Sequence, residues 1–411
     1  MKSQIDEILK KNNISAVYIT GSADHNPAMH YFTGNVHVSQ GALVICEGKK
    51  PVLFFNPMER EEAARTGLEL QSFANHPYAS LVKETNGDRS KIEARRIAHI
   101  LEDCGIVKGK VVFYGQWDAG KAFSTLKNLS EYLPDVEALA DWDESILFKA
   151  MNTKDDDELS QIKTMGQITT SVVSRTAEFL SSQKASGNHL VDREGKPVTI
   201  GQVKQKINLW LAEAGAENPE ATIFSLGRDA GIPHSIGKDA EGLRLGETIV
   251  FDIFPCQSGG GYFYDFTRTW CLGYAPDEVL ALYDDVKKVY DILITELKTG
   301  ELFHTYQERT CDLFENMGHT TVKTHSNTES GYNHSIGHGV GLRIHEKPWS
   351  GDSADETDIL IPGTVFTIEP GLYYPEKGMG VRIEDTYCVN HNGLIERMAE
   401  YPYDLVIPVK S

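Results

Sequence analysis

The stretch GETIVFD ends at Asp252, and the stretch PGTVFTIE ends at Glu369. In both, the acidic residue lies six residues after a glycine and follows an apolar run, which is typical of a buried β-strand. A second strand follows each stretch. YFYDFTRTW carries Asp265, 13 residues after Asp252. GVRIEDTYCV carries Glu384, 15 residues after Glu369. The pattern predicts two similar hairpins, each of which presents two carboxylates.

Acidic residues on buried strands need a partner. A single acid at a strand end is usually solvated, but a buried acid must be protonated, paired or bound to a metal. Four carboxylates at one place repel each other by ~1 kcal/mol per pair at about 4 Å in water, and by ~4 kcal/mol at an effective dielectric constant of about 20. Two divalent cations balance four negative charges and leave room for a bridging hydroxide. Oxygen-dominated ligation favours Mn²⁺, Co²⁺ or Fe²⁺ over a structural zinc.

Histidines accompany these acids. The glycine-rich run HSIGHGVGLRIHEKP contains His334, His338 and His345, at steps of four and seven residues. His234 follows Gly-Ile-Pro in a predicted turn upstream of the Asp252 strand. The glycines let the backbone pass close to a metal or a substrate. The segment GHGVG lacks the second half of the dinucleotide-binding spacing and the strand that leads into it, which argues against a nucleotide loop.

Composition excludes several classes of function. The chain has 411 residues, 40% of them hydrophobic, and a net charge of −19, so nucleic-acid or anionic-membrane binding is not expected. No apolar run is long enough to span a bilayer, and the N-terminal MKSQIDEILKKNN resembles an amphipathic helix rather than a signal peptide. The six cysteines include no CxxC pair, which favours reduced thiols and predicts a cytoplasmic protein.

Two domains are predicted, residues 1–150 and residues 151–411. The first alternates apolar strand runs with helical stretches, as in a sheet covered by helices. Residues 152–158 form a charge run, NTKDDDE, which we interpret as the solvated start of a helix. Apolar residues at three- and four-residue steps predict that this helix is long, and that two more helices follow it.

The order of the acids and the histidine carries a family resemblance. Asp252, Asp265, His338, Glu369 and Glu384, in the motifs DFTRT, HSIGHGVGLRIHEKP, TIEPG and GVRIED, resemble the pita-bread dinuclear metallopeptidases, which include methionine aminopeptidase, prolidase and aminopeptidase P. The N-terminal part, with MHYFTG, is similar to the small domain of the prolidase, aminopeptidase P and creatinase branch. The resemblance implies an α/β (α+β) fold with a creatinase/prolidase-like α/β domain and a pita-bread catalytic domain built on a curved antiparallel sheet.

The resemblance also implies a ligand set. By analogy Asp252 binds one metal, Asp265 and Glu384 bridge two metals, and His338 and Glu369 bind the second. Mn²⁺ is the expected metal, with Co²⁺, Fe²⁺ or Zn²⁺ as alternatives. The family often forms dimers, so a homodimer is expected.

The implied activity is hydrolysis of the peptide bond before proline. A metal-bridging hydroxide would attack the carbonyl, with Glu369 as proton shuttle. His345 and His234 would hydrogen-bond the tetrahedral species and the substrate backbone. His334 and Arg382 are candidate substrate-orienting residues. Arg382 could equally well have a structural role instead, in which it pairs with Asp385 or with a ligand carboxylate.

The sequence also admits two other functions, a creatinase-like C–N hydrolase and a non-catalytic pita-bread binding module. The intact ligand set weighs against both. The sequence leaves dipeptidase and aminopeptidase unresolved. One departure from the family pattern is a step between Asp252 and Asp265 that is two residues longer. An even change preserves the face to which a strand residue points, whereas a one-residue slip reverses it.

Overall fold

The computed structural model describes residues 2–142 and 146–410. The chain divides into two compact units, which are Met1–Met151 with Gly259–Gly261, and Asn152–Ser258 with Tyr262–Ser411. We refer to them as the N-terminal and C-terminal units. In the described part of the chain, no helix has the length and apolar character needed to cross a membrane.

The N-terminal unit is a six-stranded mixed sheet with helices. Its strands lie in the order β4-β3-β2-β1-β5-β6, with β1 antiparallel to β2 and parallel to β5. The strands are β1 (Ala16–Gly21), β2 (Gly41–Cys46), β3 (Val52–Phe55), β4 (Glu69–Ser72), β5 (Gly109–Gly115) and β6 (Val136–Leu139). The helices are α1 (Ile5–Lys11), α2 (Pro27–Thr33), α3 (Arg60–Arg65), α4 (Tyr78–Glu84), α5 (Arg89–Asp103), α6 (Ala119–Leu129) and α7 (Leu147–Met151). Apolar residues of the strands pack with the buried face of α5, including Ile97 and Leu101. The α/β class predicted from alternating apolar runs is confirmed.

The C-terminal unit contains two larger sheets, ordered β10-β11-β13-β21 and β15-β14-β16-β19-β20. Its strands are β7 (Lys184–Ser186), β8 (His189–Val191), β9 (Ala216–Glu217), β10 (Thr222–Leu226), β11 (Thr248–Ile253), β12 (Cys256–Gln257), β13 (Phe266–Leu272), β14 (His338–Gly339), β15 (Glu346–Trp349), β16 (Val365–Ile368), β17 (Gly371–Tyr374), β18 (Met379–Arg382), β19 (Asp385–Val389), β20 (Ile395–Arg397) and β21 (Val406–Ile407). Its helices are α8 (Asp156–Ser182), α9 (Ile200–Glu213), α10 (Asp277–Glu296) and α11 (His304–Asn316).

The two predicted hairpins have different detailed structures. In the first, β11 pairs antiparallel with β13. In the second, the predicted strand GVRIEDTYCV is divided between β18 and β19, which pair with β17 and β16 respectively. Glu384 lies at the break and forms a bridge with Thr267 of β13. The single return strand predicted for the second hairpin is therefore wrong in detail, and the break places Glu384 where the two sheets meet.

The helix α8 begins where the charge run predicts. Asp155 is its N-cap, and the side chains of Asp155 and Glu158 form a reciprocal capping box, which satisfies two free backbone donors. The predicted solvation holds for Asp156 and Asp157, which are exposed, but it is wrong for Lys154 and Glu158, which are buried. Glu158 accepts a hydrogen bond of 2.5 Å from the Tyr262 hydroxyl. Lys154 has an acidic partner distant in sequence, which compensates its buried charge.

Candidate metal centre

The β11–β13 ladder places the first two predicted ligands on one face. Asp252 lies opposite Thr267 in the antiparallel register, and Asp265 precedes Thr267 by two residues. Because strand side chains alternate with a period of two, residues 265 and 267 point to the same face. The longer step between the two acids is accommodated in the connection that contains β12, and Asp265 faces the site.

Three predicted ligands from separate segments meet at one point. Each of Asp265, His338 and Glu384 offers a donor atom within 4.8 Å of the others, and all three side chains are buried. The His338 Nε2 atom lies 3.4 Å from Asp265 Oδ2 and 3.6 Å from Glu369 Oε1. Three of the other four predicted ligands, Asp265, Glu369 and Glu384, therefore lie around His338.

The fifth predicted ligand, Asp252, is held by Arg382. The guanidinium Nη2 lies 2.6 Å from Asp252 Oδ2, and both side chains are buried. Arg382 also donates to the Tyr373 hydroxyl at 2.7 Å and to the Thr267 hydroxyl at 3.3 Å. The sequence left open whether Arg382 pairs with Asp385 or with a predicted ligand carboxylate. In the structure it pairs with a ligand carboxylate, that of Asp252.

Asp385, the other candidate partner of Arg382, belongs to a separate buried network. It pairs with Arg268, with 2.9 Å between Oδ1 and Nη2. Arg268 also donates to the backbone carbonyls of Thr267 and Glu384, at 2.9 and 2.8 Å. Arg268 thus holds together the backbone of the two strands that carry the ligands at this point.

The remaining predicted histidines border the cluster. The rings of His345 and His338 have centroids 4.3 Å apart. The His334 Nε2 atom lies 2.9 Å from the Tyr373 hydroxyl, and its Nδ1 atom lies 3.8 Å from Glu369 Oε2. His234 is exposed and follows directly on Pro233, whose carbonyl accepts a hydrogen bond from Arg382. Each of these histidines therefore lies next to a different residue at the border of the acidic cluster.

The donor set fits divalent metal ions. Thr267 donates to Glu384 Oε2 at 2.6 Å, and Arg382 donates to Asp252 Oδ2. The second oxygen of each carboxylate, Glu384 Oε1 and Asp252 Oδ1, is buried and has no hydrogen-bond partner among the described residues. Unpartnered buried polar atoms are uncommon and call for an explanation such as an ion. Carboxylate oxygens with one imidazole are ligands that suit Mn²⁺, Fe²⁺, Co²⁺ or Zn²⁺.

The acids of the cluster are electrostatically strained without a cation. Burial raises the pKa of Asp252, of Glu369 and of Glu384 above the ordinary carboxyl range. The charge of Asp265 adds to this rise for Glu384, whereas Arg382 opposes it for Asp252. A bound divalent ion would favour the ionised form of each acid, because it brings opposite charge into the same low-dielectric site.

The pKa values of His338 and His334 are shifted in opposite directions. Burial alone would lower the pKa of His338, but its contact with Asp265 and the charge of Glu369 outweigh burial and raise that pKa to about 9. Burial, followed by the positive charge of Arg382, lowers the pKa of His334 to about 3. His334 is therefore neutral at physiological pH, while His338 is the histidine surrounded by negative charge.

Three residues important to the site geometry were missed in the sequence analysis. Thr267 could have been found, because it follows Asp265 by two residues and therefore shares its face. Tyr373, which contacts both Arg382 and His334, has no local signal. Lys154 was assigned to a solvated run, although its ammonium group lies in the protein interior.

Comparison with known protein families gives two matches. The model for metallopeptidase family M24 matches residues 160–391, and the model for the creatinase/prolidase N-terminal domain matches residues 2–147. Among curated proteins, the chain is 26% identical over 401 residues to an Xaa-Pro dipeptidase of Pyrococcus furiosus, covering 96% of this chain and 97% of the relative. It is 25% identical over 393 residues to an Xaa-Pro dipeptidase of Pyrococcus horikoshii, covering 95% and 94%.

Solved structures share the fold along the whole chain. A dipeptidase from Pyrococcus horikoshii superposes with a TM-score of 0.75 at 20% identity, covering 98% of this chain and 99% of the other. An X-Pro aminopeptidase from Thermotoga maritima superposes with a TM-score of 0.74 at 20% identity, covering 96% and 98%. With a family model matched across more than half of its length, the chain belongs to metallopeptidase family M24 and carries the creatinase/prolidase N-terminal domain.

Proposed function

We propose that this chain hydrolyses the peptide bond of Xaa-Pro dipeptides with the help of two divalent metal ions, and that Mn²⁺ is the metal used. The observation that carries the proposal is the convergence of Asp265, His338 and Glu384 within 4.8 Å. The unpartnered buried oxygens of Glu384 and Asp252 add to it. Such a donor set is costly to bury unless cations occupy it.

The substrate class rests on the curated relatives that align over nearly the whole chain. Both Pyrococcus relatives are named Xaa-Pro dipeptidases. The nitrogen of an Xaa-Pro peptide bond carries no hydrogen, so a site can select this bond by its shape and by needing no donor there. The names favour dipeptides over longer peptides that have proline second, and a direct comparison of the two tests this choice.

In the proposed mechanism, Asp252, Asp265, His338, Glu369 and Glu384 hold the metal ions. When bound, two divalent ions supply a water acidic enough to react near neutral pH and a positive charge that polarises a carbonyl. Glu369, which is adjacent to His338, accepts the proton from the attacking water and transfers it to the prolyl nitrogen.

The histidines bordering the cluster bind and orient the substrate in this proposal. His345 and His234 donate hydrogen bonds to the developing oxyanion and to the substrate backbone, the kind of preorganised donor that stabilises acyl-transfer transition states. His334 and Arg382 meet at the Tyr373 hydroxyl. We assign them an orienting role, in which Arg382 also holds Asp252 in place.

A peptidase is favoured over the two alternatives. In the family pattern, a creatinase-like C–N hydrolase and a non-catalytic binding module do not keep the full set of acids and histidine. This chain keeps all five residues, and they lie together in the C-terminal unit. Retention of an acidic cluster with unpartnered oxygens has no evident purpose in a module that binds no metal.

We further propose that the protein is a cytoplasmic homodimer. The six free cysteines agree with a reducing compartment. The expected dimer rests on the family resemblance alone. Light scattering during gel filtration gives the mass directly, and a mass near 45.7 kDa would contradict the dimer.

The activity is tested on protein freed of metal with a chelator. Mn²⁺, Co²⁺ and Zn²⁺ are then added separately, and the release of free proline from an Xaa-Pro dipeptide is measured. A dipeptide without proline and a tripeptide with proline second are the controls. We expect metal-dependent cleavage of the Xaa-Pro dipeptide, at a kcat/KM at least tenfold above either control. No cleavage with any of these metals, or equal cleavage of the dipeptide without proline, would refute the proposal.

A further inference from the structure

Lys154 forms a buried ion pair with Glu346, the residue that follows His345. The ammonium group of Lys154 is 2.6 Å from Glu346 Oε1, and the two residues are separated by 192 positions in sequence. Lys154 is 1% exposed and Glu346 is 5% exposed. Two long charged side chains are seldom buried to this degree, so the pair is a specific feature of the C-terminal unit.

The Glu346 carboxylate fills the inside of the loop formed by residues 339–346. The backbone N–H of Arg343 donates to Glu346 Oε2 at 3.3 Å, and Gly339 lies opposite Glu346 in the ladder between β14 and β15. A side chain at Gly341 would collide with the carboxylate, because an added Cβ would lie 2.3 Å from Oε1. The loop is therefore folded around this carboxylate.

Lys154 is fixed to the framework of the same unit. Its backbone N–H donates to the Gly363 carbonyl at 2.8 Å, and its ammonium group also donates to the Asn152 carbonyl at 3.3 Å. Asp155, the next residue, is the N-cap of α8. The ion pair thus connects the loop to the start of a 27-residue helix and to the segment that leads into β16.

His345 depends on the loop for its position more than His338 does. Neither ring nitrogen of His345 has a hydrogen-bond partner within the described residues, and its side chain is exposed. His338 has anchors of its own, since its backbone N–H donates to the Thr367 hydroxyl at 3.1 Å and its Nδ1 atom lies 3.0 Å from the Gly339 carbonyl. A disturbance of Glu346 should therefore move His345 and leave His338 in place.

We propose that Lys154 and Glu346 are positioning residues, whose ion pair holds the loop so that His345 lies against His338 at the acidic cluster. The consequence for turnover rests on the proposed function, whereas the ordering of the loop does not. Removal of one partner leaves the other charged, buried and unpaired, which is the most disruptive change for such a pair. Removal of both charges leaves no unpaired buried charge, but the loop still loses its ion pair with Lys154.

The first test measures the loop directly, without any activity. Lys154→Met, Glu346→Gln and the double variant are compared with wild type by hydrogen exchange and mass spectrometry, at equal metal content. In Lys154→Met we expect at least tenfold faster exchange in residues 340–346, with exchange in α10 unchanged. Ile207→Ala, a fully buried position of α9, is the control for general destabilisation and should leave the loop unchanged. Unaltered exchange of the loop in Lys154→Met would overturn the proposal.

The second test separates positioning from substrate binding and from metal loss. In Lys154→Met we expect kcat for an Xaa-Pro dipeptide to fall at least tenfold, with KM within about threefold of wild type and metal content unchanged. Because the two residues act as one unit, the double variant should lose no more than the worse single variant. Losses that multiply in the double variant, or a loss explained entirely by missing metal, would contradict the positioning role.

The two tests keep this inference distinct from the proposed function. If wild type does not cleave Xaa-Pro dipeptides, the proposed function fails, and the exchange measurement still decides whether the ion pair orders the loop. If the single variants do not fold, the double variant, which contains no unpaired buried charge, serves in both tests. Wild-type exchange of the loop in a folded double variant would then refute the inference.

Discussion

Replacement of Glu384 by glutamine should have opposite effects on the stability of the metal-free protein and of the metal-loaded protein. Glu384 is 1% exposed, and one of its oxygens accepts a hydrogen bond from Thr267 while the other has no partner among the described residues. A glutamine has the same shape and its carbonyl oxygen can still accept from Thr267. The substitution therefore removes a negative charge from the cluster with little change in packing.

The size of the effect follows from the distance between the acids. The ligand atoms of Asp265 and Glu384 lie within 4.8 Å of each other, where two like charges repel by about 3.5 kcal/mol at an effective dielectric constant of about 20. Because burial raises the pKa of Glu384, a proton relieves part of this repulsion in the metal-free wild type. The metal-free variant should therefore gain between zero and about 3 kcal/mol, or up to about 6 °C in Tm for a domain of this size.

The metal-loaded proteins should differ in the opposite direction. At a free Mn²⁺ concentration about 100 times the dissociation constant, each site adds about 2.7 kcal/mol to wild-type stability, or about 5 °C in Tm. Scanning calorimetry of both proteins, with a chelator and with Mn²⁺, gives all four values. We expect the Mn²⁺-dependent increase to disappear in Glu384→Gln and to persist in Glu356→Gln, which changes an exposed acid of the same unit. A full increase in Glu384→Gln would refute the assignment of Glu384 as a ligand.

Three further predictions concern single side chains. His345→Ala should lower kcat by about 100-fold, as expected for loss of an oxyanion donor, with metal content unchanged; loss of metal would instead make His345 a ligand. Tyr373→Phe removes the hydroxyl that accepts from Arg382 and should lower the free energy of unfolding in urea by about 1 kcal/mol, so an unchanged urea midpoint would count against this contact. Burial lowers the pKa of His30 to about 4, so the unfolded chain binds a proton that the folded chain excludes. Stability should then fall by up to about 3 kcal/mol as the pH drops from about 6.5 to about 4, and His30→Gln should remove this part of the pH dependence.

Features encoded locally could be predicted from the sequence. Apolar runs that end in an acid locate β11 and β16, and the three- to four-residue spacing of apolar residues locates α8, α9 and α10. In these segments the hydrophobic pattern and the secondary structure coincide, because each element buries one face or both. The step between Asp252 and Asp265 is longer than the family pattern by two residues, and this even change likewise agrees with the face on which Asp265 lies.

Features that depend on distant partners could not be predicted in this way. Lys154 lies in a run of charged residues that is indistinguishable from a solvated helix start, and only the position of Glu346 explains its burial. The break between β18 and β19 falls at Ile383 and Glu384. It arises because the two halves of the segment pair with different strands, β17 and β16. The choice of Asp252 rather than Asp385 as the partner of Arg382 also depends on which strands are neighbours, and this is a property of the tertiary fold.

The proposed activity requires two metal ions held by the five residues Asp252, Asp265, His338, Glu369 and Glu384. Anomalous X-ray diffraction from crystals grown with Mn²⁺, measured above and below the manganese absorption edge, locates these ions. We predict two manganese peaks in the C-terminal unit, with all five side chains as ligands. A single peak, or manganese bound elsewhere while Arg382 and the acids pair only with one another, would contradict the claim.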